Sequence, residues 1–177
     1  MTIHYDDEKL LHEKLIPCEK PFLQEDINLA IEMNKYLQLS QDEEYARKNN
    51  IRSGVGLAAN QVGSRKRIIA IYLEDDKLYS YALLNPEITS KSVKMCYLST
   101  GEGCLSVPKD HKGLVMRSYK VTVKAYDCLT QKNVVINAKG YLAICLQHEI
   151  DHLNGILYYD HIDKTNPYKV FDGAVEI

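Results

Sequence analysis

Tryptophan is absent from the 177 residues and phenylalanine occurs twice, so tyrosine, present 13 times, supplies nearly all the aromatic surface. No apolar run approaches the ~18 residues that would mark a membrane span. The opening MTIHYDDEKLLHEKL has no apolar core of signal-peptide length, and it is too acidic for an Arg-rich transit peptide. A cytoplasmic protein with no membrane attachment is expected. Neither charge is in excess: 22 Lys and Arg stand against 24 Asp and Glu, a formal net of −2. That balance offers no electrostatic footprint for nucleic acid or an anionic bilayer, and sequence-specific nucleic-acid binding is not expected. The five cysteines are an odd number, which in a cytosolic chain argues against a disulfide framework. They read as reduced thiols packed like small apolar residues, with one available for chemistry. No repeat or low-complexity tract is visible.

What is present is globular: 45% hydrophobic and 26% charged residues. The length suits a single domain over residues 1–177 with a substantial core. The stretch up to Leu23 is irregular, stiffened by Pro17 and Pro21. From Glu25, Ile27, Ala30, Ile31, Met33 and Leu37 recur at helical spacing. Ser40 and Glu43 form a capping-box pattern for a second short helix to Lys48. SGVGLAANQVG reads as a loop. Strands are expected at Arg67–Leu73, Lys77–Asn85, Glu87–Leu98, Leu114–Asp127 and Asn133–Ala138, with Asn85-Pro86 as a break. Lys139–Leu153 is a long helix closed by Asn154-Gly155, and Ile156–Tyr159 a last short strand. Strands and helices do not alternate strictly. The expected class is α+β, with mainly antiparallel sheets around the long helix and a helix near the N-terminus.

That long helix carries His148-Glu149-Ile150-Asp151-His152. Residues four apart share a helix face, so both imidazoles can reach one metal ion, with Glu149 placed to move a proton to or from a bound water. The plainer reading is a surface helix with two solvated histidines. However, its neighbours Leu142, Ile144, Leu146 and Leu153 are apolar, and imidazoles near a buried face need partners. A site with two His ligands needs a third that leaves one position open. His161 downstream lacks the usual glycine-spaced lead, whereas Glu102-Gly103-Cys104-Leu105-Ser106 offers a sulfur in a glycine bend. Taken alone, Cys104 reads as a core residue; beside the histidines it reads as a ligand. Gly54-Val55-Gly56-Leu57-Ala58-Ala59-Asn60-Gln61 permits close backbone approach and ends in an amide that could donate to an oxyanion, or is simply a tight turn.

GVGLAANQ, EGCLS and QHEIDHLNG, in that order, resemble the three signatures of the peptide deformylase family over about residues 50 to 165. The resemblance implies a metal-dependent cytoplasmic bacterial hydrolase. It would remove the formyl group from the N-terminal formyl-methionine of nascent polypeptides and release formate. It implies metal ligands Cys104, His148 and His152, a general acid/base in Glu149, and oxyanion donors in the Gln61 side chain and Leu105 N–H. The implied ion is one divalent metal, natively Fe2+, with Zn2+, Ni2+ or Co2+ as substitutes; the ligand chemistry itself suits zinc equally. Helix spacing sets Tyr141, Ile144 and Cys145 on the His148 face, where with Val55 they would form a slot for methionine or else pack as ordinary core. In the family, backbone groups at Val55-Gly56 and at Gly103 pair with the peptide as an added strand. Asp151 and Arg117 are candidates for an ion pair bracing the helix, or a plain structural salt bridge.

Asn60 stands where relatives often carry Pro or Thr. The segment from Gln61 to Cys104 is long, and the long C-terminal helix that some relatives use at the ribosome has no counterpart, as in the longer-insert type of Gram-positive bacteria and mycoplasmas. A ribosome contact would then be transient at most. Two rivals remain: an HExxH endopeptidase, which would need a downstream third ligand and leaves EGCLS unexplained, and a non-catalytic binding protein that keeps the fold.

Overall fold

The computed structural model describes residues 1–177. Helix α1 (Gln24–Ser40) forms where the spacing predicts, with Glu25 and Asp26 in its first turn, and buries Ala30, Met33 and Leu37. Ile31, expected on that face, is 38% exposed and lies on its edge. Helix α2 (Glu43–Asn49) does not begin with a capping box at Ser40. Its cap is Asp42, whose carboxylate accepts from Tyr45 N–H at 2.9 Å. Ser40 instead ends α1, where its hydroxyl donates to the Leu37 carbonyl at 2.7 Å.

Five antiparallel strands make the main sheet, in the order β1 (Gly56–Ala58), β2 (Ile68–Glu74), β3 (Leu78–Lys91), β6 (Lys120–Asp127), β7 (Lys132–Lys139). Residues Ile68 to Ile71 of β2 are buried without alternation, because α1 and the later helix α3 (Gly140–His152) both pack against that strand. β6 alternates as read, with Val121, Val123 and Ala125 inward. Each fully buried aliphatic side chain contributes ~1.5–3 kcal/mol.

The glycine segment is not all loop: Gly56–Ala58 is the edge strand β1, and Ala59–Val62 a 3-10 turn. β3 runs through Asn85-Pro86 without breaking. A register shift between Leu84 and Glu87 absorbs the proline, which has no N–H to give the ladder. Asn85, at φ +51°, turns its amide on the N-terminal segment, accepting from Cys18 N–H and donating to the Cys18 carbonyl. The expected strand Glu87–Leu98 is cut after Lys91, and Leu114–Asp127 is cut at Tyr119. Their far halves, β4 (Met95–Tyr97) and β5 (Arg117–Ser118), join β8 (Val175–Glu176) in a second sheet. Within the two sheets, β4 and β8 form the one parallel strand pair. Ile156–Tyr159 is not a strand; the chain makes a 3-10 turn at Tyr158–His161 instead.

Helix α3 runs through the centre, buried from Leu142 to Ile150. Gln147, the polar residue in that run outside the His-Glu pair, is satisfied by the Ser118 backbone: Nε2 donates to its carbonyl at 2.9 Å and Oε1 accepts its N–H at 3.0 Å. That exchange fixes α3 to β5. The N-terminal segment is ordered by contacts with all three signatures. His4 N–H donates to the Gln61 carbonyl, Asp6 N–H to the Ser106 carbonyl, and Leu15 N–H to the Leu153 carbonyl, at 2.8 to 2.9 Å.

Candidate metal centre

The buried α3 places His148 and His152 one turn apart, with ring centroids separated by 5.1 Å. Cys104 enters from the bend after β4, its Sγ 3.2 Å from His152 Nε2. One ligand atom from each of Cys104, His148 and His152 lies within 4.8 Å of the others, and all three residues are buried. Two imidazoles and a sulfur gathered this closely fit a borderline divalent ion. His161 stands apart from this cluster and donates to Asp151 instead, so the endopeptidase rival lacks its downstream ligand.

His148 is oriented from behind. Its Nδ1 donates to Glu102 Oε2 at 2.8 Å, leaving Nε2 for the cluster. Glu102 is in turn gripped by Arg117, through Nε to Oε1 at 2.8 Å and Nη2 to Oε2 at 2.9 Å. Arg117 Nη1 also donates to Asp151. The Asp151–Arg117 pair read from the sequence is thus present. Sequence reasoning missed Glu102 as its centre, although that residue stands in the same signature as Cys104; a carboxylate two residues before a ligand was the available signal. Burial would raise the Glu102 carboxyl, but the Arg117 fork and then His148 outweigh it and hold it at about 2. Burial would likewise raise Asp151, and His161 and Arg117 together bring it below its ordinary value.

Glu149 lies beside the cluster with Oε2 unpartnered, and burial lifts its carboxyl to about 7. Burial lowers His152, and a charge on His148 lowers it further. Two absent side chains make this packing possible. A Cβ on Gly56 would sit 2.7 Å from Glu149 Cδ, and one on Gly54 would sit 2.8 Å from Leu105 Cδ1. Glycine at position 56 therefore leaves Glu149 its place, and glycine at position 54 spares the Leu105 side chain a shift.

Gln61 is held by three groups. Its Oε1 accepts from Ala58 N–H at 2.8 Å, while Nε2 donates to Ser106 Oγ at 3.0 Å and lies 3.4 Å from Cys104 Sγ. Leu105 N–H has no protein acceptor. Asn60, the departure from the common pattern, is fully buried and donates to the His152 carbonyl at 2.9 Å, tying the first signature to the end of α3.

A cavity of about 270 Å³ opens beside the cluster. Val55, Gly56, Gln61, Gly103, Cys104, Leu105, Tyr141, Ile144, Cys145, His148 and Glu149 all line it, as the sequence reading groups them. His152 is almost wholly buried and does not. Arg52, Ser53, Gly54, Leu98 and Glu102 also line it and were not foreseen. One wall is β1, which pairs only with β2 and leaves its outer edge to the cavity.

The family model for polypeptide deformylase matches residues 1–168. A peptide deformylase of Staphylococcus epidermidis is 49% identical over 175 residues, covering 97% of this chain and 95% of its own. Peptide deformylase 2 of Bacillus subtilis is 46% identical over 174 residues, 97% and 94% of the two chains. Among solved structures, the peptide deformylase of Ehrlichia chaffeensis superposes with a TM-score of 0.74 at 31% identity, over 93% of this chain and 89% of that one. The actinonin-bound class I type b enzyme of Acinetobacter baumannii gives 0.70 at 31% identity, over 92% and 98%. With matching signatures, fold and near-complete coverage, this chain belongs to the polypeptide deformylase family, metal-dependent hydrolases that remove the formyl group from nascent peptides.

Proposed function

We propose that Cys104, His148 and His152 hold one divalent ion, natively Fe2+, in a single catalytic domain acting on N-formylmethionyl peptides in the cytoplasm. No helix is long and apolar enough to cross a membrane. The observation that carries the site assignment is the buried cluster of three donor atoms within 4.8 Å, beside a glutamate whose Oε2 is unpartnered. When bound, the ion supplies Lewis acidity for the water and the formyl carbonyl.

The chain's own groups do the rest. Val55, Tyr141, Ile144 and Cys145 take the methionine side chain, while backbone groups of Val55, Gly56 and Gly103 pair with the peptide along the free edge of β1. Glu149 takes a proton from the attacking water and returns it to the departing amine. A carboxyl raised to about 7 is matched to both halves of that task. Gln61 Nε2 and Leu105 N–H donate to the oxyanion, each worth ~3 kcal/mol. Gln61 reaches it with its amide already oriented by Ala58 and Ser106.

Ferrous iron and a ligating sulfur are both oxidisable, and zinc is not. Anaerobic purification is expected to give one iron per chain and more activity on formyl-Met-Ala-Ser than aerobic purification. Equal activity either way would favour zinc. Glu149→Ala is expected to keep the metal and lose turnover by ~10² or more; near-normal turnover would remove Glu149 from the mechanism.

A further inference from the structure

His161 has no part in the reading above. It sits on the 3-10 turn Tyr158–His161, outside the cavity, with its side chain 36% exposed. Its Nε2 donates at 2.8 Å to Asp151 Oδ2, the same oxygen that accepts from Arg117 Nη1. Arg117 donates through Nε and Nη2 to Glu102, its Nη1 also lies 3.5 Å from His161 Nε2, and Glu102 accepts from His148 Nδ1. A continuous series of hydrogen bonds therefore runs from a surface imidazole to a buried one.

Its weak point is identifiable. Arg117 and Glu102 are 4% and 3% exposed and out of reach of water, whereas Asp151 is 20% exposed and can turn to it. One buried guanidinium faces two carboxylates, and only the Glu102 pair is bidentate. The Asp151 contact is the one that can let go, and with it the third side of Arg117. A second donor on the same Asp151 oxygen opposes that rotation. An exposed His–Asp pair is ordinarily worth little; this one differs because its acceptor is shared with a buried cation.

We propose that His161 is a positioning residue for the metal ligand His148, acting through Asp151, Arg117 and Glu102 to hold the imidazole in its binding orientation. The inference rests on the assignment of Cys104, His148 and His152 as the ligand set. Outer groups that orient ligands typically change metal affinity ~10–100-fold. The test uses the full chain loaded with Zn2+ and follows zinc release to an excess chelator in the parent, His161→Phe and His161→Gln. Phe keeps the ring shape without a donor, and Gln restores an N–H.

His161→Phe is expected to release zinc ~10-fold faster, and His161→Gln within about twofold of the parent. The melting temperatures of the metal-free proteins give the structural readout. A packing role alone would lower melting in the Phe variant and leave release unchanged. Release from His161→Phe within twofold of the parent, or His161→Gln as fast as His161→Phe, overturns the proposal. Failure of the ligand set itself looks different: the parent would bind less than one zinc, or Cys104→Ser would hold it as tightly as the parent, and both readings would fall together.

Discussion

Glu102→Gln isolates the buried charge that the site is built around. The carboxyl is held at about 2 against an ordinary 4.5, which at ~1.36 kcal/mol per unit is worth roughly 3 kcal/mol to the folded state at neutral pH. A buried pair broken from one side gives a similar figure, ~3–5 kcal/mol. The sign follows from the direction of the shift. A depressed carboxyl stabilises the fold above its unfolded value and loses that contribution as pH falls from about 4.5 towards 2. Urea unfolding of metal-free parent and variant should therefore differ by ~3 kcal/mol at pH 7, with the gap closing below pH ~4.5. The substituted amide would still accept from His148 Nδ1 but leave Arg117 balanced by Asp151 alone. Zinc affinity is expected to fall ~10-fold or more. A gap under ~1 kcal/mol at pH 7, or one that stays constant down to pH ~3, would show that Glu102 is not a buried anion held by Arg117.

Gly56→Ala would force Glu149 aside, since the new methyl group falls within 2.9 Å of both its Cγ and Cδ. Displacement of this size is expected to cost ~10²-fold in kcat, and a kcat within a factor of two of the parent would contradict the packing. Gln61→Ala is expected to lower kcat ~10²–10³-fold with little change in KM; a change confined to KM would assign Gln61 to substrate binding. Asn60→Ala leaves the His152 carbonyl without its buried donor, and a loss of ~1–3 kcal/mol should appear in thermal unfolding. An unchanged melting temperature would mean that the carbonyl finds another partner.

The residues that meet around the cavity were legible because their signal is local. His148 and His152 are four residues apart, and Cys104 and Gln61 end or centre short glycine-marked runs. What could not be read was which charges meet. Glu102, Arg117 and His148 are separated by 15 and 31 positions, and Arg117 looks like one of many surface cations until the fold buries it to 4%. Strand ends escape the pattern where the chain changes sheets. Tyr119 continues the alternation of its neighbours, yet its N–H donates to the Lys94 carbonyl and its own carbonyl accepts from Gly140. The order of polar and apolar residues does not record such a transfer. Pro86 misleads in the opposite direction, because a bulge allows β3 to pass through it.

The N-terminal segment has a bearing on how the molecule is made. Residues 4, 6 and 15 close onto residues 61, 106 and 153, partners that leave the ribosome progressively later. Loops of that length are slow to close, so residues 4 and 6 can dock first, and residue 15 last, once the Leu153 carbonyl has been made. One segment thus fastens the three signatures one after another, and the helix that carries the two histidines is the last to be clasped.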